Sequence, residues 1–177
     1  MSGYTIELLD SDGVENAVPG LADVLMDCVD GGASVSFMAP LSREKAEAFW
    51  RKVAAAAGRR EAVLLVARDS HGRIVGTVHL NVALPENQPH RADLAKMLVH
   101  RRARRRGIAA ALLREAESTA RDCGKTLLVL DAVTTGDAAR LYQRLGWIRV
   151  GDIPNFALMP DGKPCSTTYF YRNLDSL

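Results

Sequence analysis

Two groups of residues in this chain are equipped for chemistry. The first is RRARRRGIA (101–109), in which five arginines fall within six residues and glycine and an apolar run follow at once. Glycine lets a backbone approach a ligand closely. The first N–H groups of a helix have no partner within it and lie at the positive end of its dipole. Guanidinium groups add charge-assisted hydrogen bonds to phosphate oxygens. Such a boundary suits a phosphate held on a helix lip, and it equally suits the backbone of a nucleic acid. The second group is titratable: Asp93, Asp131 and Tyr142, with His79 inside an apolar run. A carboxylate, a phenol or an imidazole can move a proton in a transition state when held within hydrogen-bond reach.

Bulk properties narrow the choice. The chain has 177 residues and a formal net charge of +2, so the arginines are a local feature of a nearly balanced protein. A chain that coats nucleic acid is basic as a whole, and few aromatic residues accompany the arginines to stack on bases; no nucleic-acid partner is expected. The three cysteines, Cys28, Cys123 and Cys165, are scattered and never spaced C-x-x-C. Neither a disulfide framework nor a metal site is expected, and a catalytic Cys–His pair has nothing to single it out. The start of the chain lacks a basic segment followed by an apolar one, and no later stretch approaches the roughly 18 apolar residues of a membrane span. The expectation is a cytoplasmic protein with no membrane partner, folded as one domain over residues 1–177.

The elements that must position these groups follow from periodicity. YTIELL (4–9) alternates as a strand, closed by the turn residues SDG (11–13). Residues 19–30 carry Leu21, Val24, Leu25 and Cys28 at helical spacing and stop at Gly31 and Gly32. A second helix follows Ser42, with Ala46, Phe49, Trp50 and Val53 on one face and Gly58 past its end. AVLLVARD (62–69) and IVGTVHLNV (74–82) form a hairpin around Ser70, His71 and Gly72. LPENQPH (84–90) is irregular, and RADLAKMLV (91–99) is the next strand. The arginine cluster leads into a helix opening at Gly107, with Ala109, Leu112, Leu113, Ala116, Ala120 and Cys123 along one stripe. TLLVLDA (126–132) is a buried strand, residues 137–145 a short helix, WIRVG (147–151) a strand, and TTYFYRNL (167–174) the last strand after a Pro/Gly-containing loop. Hairpins followed by strand–helix–strand–helix–strand predict a mixed sheet flanked by helices.

The usual nucleotide motifs fail. GKT at 124–126 has Thr119 where a P-loop needs its first glycine, and it leads from helix to strand. What does match is R-x-x-G-x-A, as Arg104, Gly107 and Ala109 on the lip of a helix after a strand. This resembles the Q/R-x-x-G-x-G/A loop of the GNAT superfamily of N-acetyltransferases. AARLYQRLGW (138–147) is similar to the superfamily's A-x-x-L-Y-x-x-x-G-F helix end, and the resemblance runs from about Arg60 to the end of the chain. GGASVSFM (31–38) and PDGKPCSTTYFYRNL (160–174) are similar to tabtoxin-resistance-type acetyltransferases.

The resemblance implies an α/β (α+β) fold with a central mixed, mostly antiparallel twisted sheet of about six to seven strands flanked by helices. It implies acetyl-CoA as cosubstrate, with no metal, and transfer of acetyl to a primary amine of a small molecule in a ternary complex. Protein N-acetylation and non-catalytic acyl-CoA binding are the alternatives. Coenzyme A is then expected at Arg104, Arg105, Arg106, Gly107, Ile108 and Ala109, with backbone groups around Met97, Leu98 and Val99 on the thioester carbonyl. Thr135 stands where superfamily members often carry an Asn that contacts the pantetheine arm. Tyr142 matches the tyrosine that protonates the departing sulfur; as a bare residue it fits packing on an amphipathic helix as well. An amine with a pKa of about 10.4 needs a base at neutral pH, for which Asp131 and Asp93 are the candidates. Either a monomer or a homodimer fits.

Overall fold

Alternation and helical spacing resolve into seven strands and four helices among residues 3–174, which the computed structural model describes. In chain order they are β1 Tyr4–Leu9, α1 Ser11–Asp30, α2 Arg43–Gly58, β2 Ala62–Asp69, β3 Ile74–Asn81, β4 Arg91–Val99, α3 Ile108–Asp122, β5 Leu127–Val133, α4 Asp137–Arg144, β6 Ile148–Leu158 and β7 Pro164–Asn173. The strands make one sheet in the order β1-β2-β3-β4-β5-β7-β6. Only β4 and β5 are parallel neighbours.

Helices cover both faces because each presents one apolar stripe. Leu21, Val24, Leu25 and Cys28 of α1 pack with Trp50 and Val53 of α2 against Leu64, Val66 and Leu98. On the other face Leu112, Leu113, Ala116 and Ala120 of α3, with Ala139 and Tyr142 of α4, pack on Leu80, Leu94, Leu128, Leu130 and Phe170. Gly76 sets how close α3 lies to the sheet: a Cβ there would come within 3.1 Å of Ile108, of Leu112 and of the Leu98 carbonyl.

The structure departs from the sequence expectations in three places. Helix α1 begins at Ser11, not Pro19. Asp10 caps it, its Oδ1 accepting from the Gly13 N–H at 2.7 Å, so SDG is a first helical turn and closes no strand. Pro19 then sits inside the helix; it removes one backbone donor, and the buried stripe Val14, Ala17, Val18, Leu21 outweighs that loss. Gly58 ends α2 from within, and Arg60 takes the left-handed φ of 59° beyond it. The third departure is the largest. The expected strand WIRVG does not stop at Gly151: β6 runs eleven residues, from Ile148 through the expected loop to Leu158, and turns at residues 159–163 into a ten-residue β7 that starts at Pro164, not Thr167. Strand β6 is the sheet edge, where Pro154 costs no ladder bond. Asn155 at φ 54° breaks its alternation at a register shift between Ile153 and Ala157.

Candidate active site

Strands β4 and β5 pair over only three positions, Arg91↔Leu127, Ala92↔Leu128 and Asp93↔Val129. Beyond them β5 stays with β7 as far as Val133↔Thr167, while β4 stays with β3 as far as Val99↔Gly76. A gap therefore opens in the middle of the sheet. Its cause is a bulge at Lys96, whose φ is 50°, with a register shift against β3 between Thr77 and His79. The extra residue exchanges the faces of the strand: Ala92 and Leu94 belong to the α3-side core and Leu98 to the α1-side core.

The gap is lined by backbone on the β4 side. The His100 N–H donates to the Val75 carbonyl at 2.9 Å. By the alternation of antiparallel ladders, Leu98 and His100 then turn their backbone groups toward β3, and Val99 turns its own toward the gap. The Val99 carbonyl accepts from Arg104 Nε at 3.2 Å and from Cys28 Sγ at 3.6 Å.

Strand β4 runs into a short 3-10 turn, Arg101–Ala103, and then into the motif loop. Arg105 and Gly107 both take left-handed φ, 63° and 80°. Gly107 caps α3 without a side-chain hydrogen bond, and the first helical bond runs from the Ala111 N–H to the Gly107 carbonyl at 3.0 Å. The N–H groups of Ile108 and Ala109 therefore have no intrahelical partner and lie at the positive end of the dipole. A Cβ at Gly107 would obstruct this approach and be strained at that φ. Arg104, Arg105 and Arg106 are exposed, and none of them forms an ion pair among the described residues.

Register places the titratable residues on opposite faces of the gap. Asp93 pairs with Asn81 and Val129, and Asp131 with Tyr169, all on the α1 side. Tyr142 lies on the α3 side, buried in the core with its ring 5.7 Å from that of Trp147 and 5.8 Å from that of Phe170. Burial, reinforced by the negative charge of Asp131, pushes the Tyr142 phenol well above its ordinary pKa, so it is protonated at neutral pH.

The two carboxylates differ. Asp93 is ion-paired to Arg91. Asp131 is exposed, not buried as the apolar run before it suggested, because β5 buries only its α3-side residues. It accepts from Thr167 Oγ1 at 2.9 Å and forms no ion pair among the described residues. Thr135 is exposed at the mouth of the gap, and its carbonyl accepts from Arg140 Nη1 at 3.3 Å.

Lys96 and Ser36 belong to this site and were missed. Both have left-handed φ, 50° and 76°, and their side chains meet, Nζ to Oγ, at 3.2 Å. The ammonium also lies 5.3 Å from the ring centroid of Phe49 on α2. Burial lowers the Lys96 pKa, against the pull of Asp131. The available signal was the lysine itself, which interrupts an otherwise apolar strand end in LAKMLV.

Comparisons with known proteins identify the family and the fold. The model of the Acetyltransferase (GNAT) family matches residues 33–147. The chain belongs to that family. The fold is shared with the yncA protein of Salmonella typhimurium, solved with its cofactor acetyl-CoA: TM-score 0.80, 18% identity, 99% of this chain and 96% of that one. It is shared also with the ribosomal-protein-alanine N-acetyltransferase of Brucella melitensis, at TM-score 0.78, 19% identity and 96% and 99% coverage. A protein solved under the provisional name of phosphinothricin N-acetyltransferase matches at TM-score 0.79, 17% identity and 98% and 99% coverage. The protein is an acetyl-CoA-dependent acetyltransferase, and its seven-stranded, mostly antiparallel sheet is the GNAT fold. No helix among the described residues is long and apolar enough to cross a membrane.

Proposed function

We propose that the enzyme, one domain spanning residues 1–177, acetylates a primary amine on a small molecule by direct attack in a ternary complex. The observation that carries this reading is the gap between β4 and β5, with a carboxylate on one face and a protonated phenol on the other. The pyrophosphate rests on the N–H groups of Gly107, Ile108 and Ala109 with Arg104, Arg105 and Arg106 around it, and the pantetheine arm passes Thr135 into the gap. There the Val99 N–H, with Met97 and Leu98 beside it on the same strand, polarises the thioester carbonyl. Asp131 accepts the amine proton directly or through water, and the amine nitrogen bonds to the carbonyl carbon. The C–S bond breaks as the tetrahedral intermediate collapses, the departing sulfur takes its proton from Tyr142, and the second proton of the attacking nitrogen returns to the Tyr142 phenolate through water. Asp131 is preferred to Asp93 as base because the Arg91 ion pair already occupies Asp93.

Phe37, Phe49, Phe156 and Tyr169 stack in two T-shaped pairs, with centroids 5.4 and 6.0 Å apart. Phe49 approaches the Lys96 ammonium, and Tyr169 is the register partner of Asp131, so aromatic surface reaches both groups. An aromatic surround of this kind suits a small acceptor. The names of the structural relatives include a protein acceptor and a small one, so the fold alone leaves this choice to the pocket.

The test is a panel of small primary amines and of N-terminal peptides, scored by release of free CoA thiol. Turnover of a small amine, reduced about 10²- to 10⁴-fold in Asp131→Asn, is the expected result. Turnover of peptides alone would replace this reading with protein acetylation.

A further inference from the structure

The site described so far gives no task to the C-terminal end of α1, yet that end grips the phosphate-binding loop. Asp27, with a side chain only 12% exposed, accepts from the Arg101 N–H through Oδ2 at 2.7 Å and from Arg101 Nε through Oδ1 at 2.9 Å. His100 Nδ1 lies 3.3 Å from the same Oδ2. Burial alone would raise the Asp27 pKa; the two bonds from Arg101 and the nearby charges of His100 and Arg101 outweigh it and hold the carboxyl below its usual range. Helix α1 has no basic residue in its own last turn, so the Arg101 guanidinium, packed at Gly31, is the cation at the negative end of its dipole. One residue on, Cys28 reaches the Val99 carbonyl.

We propose that Asp27 is a positioning residue that holds the loop after β4 in its phosphate-binding shape, with Arg101 as its strut and not as a phosphate ligand. The five arginines thus divide by role. Arg101 is turned inward onto α1, Arg102 lies against His100, and Arg104, bonded to the Val99 carbonyl through Nε, stands with Arg105 and Arg106 for the anion. This rests on the reading of the loop as the cradle for coenzyme A.

The test uses the whole enzyme and CoA alone, by titration calorimetry at fixed salt. Acetyl-CoA kinetics accompany it to separate KM from kcat. Asp27→Asn removes the charge while leaving an acceptor for the Arg101 N–H, and Asp27→Ala removes both. The expected result is a rise in Kd for CoA of about tenfold or more in Asp27→Ala, less in Asp27→Asn, with partial recovery in Asp27→Glu and the kinetic loss falling on KM. Arg101→Ala should weaken CoA by a similar factor, and the double variant should be no worse than either single, because both remove one interaction. Effects that multiply would make Arg101 an independent ligand and overturn the proposal. So would a Kd within twofold of wild type in Asp27→Asn. Should Asp27→Ala fail to fold, Asp27→Asn and Arg101→Ala, singly and together, decide it by the same criteria. Wild-type enzyme that does not bind CoA would instead remove the cradle reading beneath it, and an acceptor that is not a small amine would leave this test untouched.

Discussion

His79 makes the stability of the fold sensitive to pH. The ring stands on β3 opposite Leu64 on β2 and Ala95 on β4, and it lines an open cavity of about 400 Å³ with Lys52, Glu61 and Asn81. Burial and then the charge of Lys96 lower its pKa from 6.5 to about 4. The folded protein thus holds fewer protons on this group than the unfolded chain does between those values. Stability rises with pH across that window, is complete above it, and is lost as pH falls toward 4. At 1.36 kcal/mol per pKa unit the full difference is about 3 kcal/mol, of which about 2 kcal/mol falls between pH 7 and pH 5. The ring keeps part of its surface in water, so this figure is a ceiling.

Urea unfolding of the wild type and of His79→Gln at both pH values isolates the term. Other groups titrate in both proteins, including His100, which burial also lowers, and they cancel in the comparison. On acidification the wild type should lose up to about 2 kcal/mol more than the variant. With a urea slope of about 2 kcal/mol/M, that is a midpoint shift of roughly 1 M. Equal losses in the two proteins would mean that His79 takes up its proton in the folded state without penalty, and the burial argument would fall. The functional corollary is that His79 is neutral at neutral pH and adds no second positive charge beside Lys96.

Two further outcomes follow from the geometry of the gap. Tyr142→Phe keeps the ring that packs on Trp147 and Phe170, so its melting temperature and CoA affinity should stay close to wild type. Stopped-flow acetyl transfer in this variant should slow by about 10²- to 10⁴-fold, and full activity would reduce Tyr142 to a packing residue. In Gly107→Ala the new Cβ would meet only the Tyr4 hydroxyl at 3.6 Å, an ordinary contact, so the cost is the left-handed φ of 80° alone. That is about 1–2 kcal/mol, or roughly 2–8 °C in a calorimetric melt; no change would show that the loop relaxes out of this conformation.

What could be read from the chain was whatever is local. The motif loop is a contiguous stretch of sequence, and its glycine, its arginines and the amphipathic helix behind it carry their reasons within ten residues of one another. The β2–β3 hairpin is legible for the same cause, an apolar alternation on each side of Ser70 to Gly72. Helix α1 was shortened at Pro19 because a proline is a sound local stop signal, and only packing of Val14, Ala17 and Val18 on the sheet overrides it. Strand β6 was cut short after WIRVG because an exposed edge needs no alternation, and its seven register partners all lie on β7.

The gap between β4 and β5 depends on one inserted residue that no periodicity marks. Up to Ala95 and beyond Leu98 strand β4 is regular, but the bulge at Lys96 reverses its faces and ends its pairing with β5. In sequence Asp93 and Asp131 are equivalent acids in apolar runs. In the fold their register partners put both on the face opposite Tyr142, and the Arg91 ion pair then tells them apart. The same holds for the loop. Asp27 and Arg101 are 74 positions apart in sequence, and only the packing of α1 on β4 brings this one arginine onto a carboxylate. A cluster of like residues is therefore a poor guide to the number of ligands it supplies, because each side chain is claimed first by whatever charge the fold brings within reach.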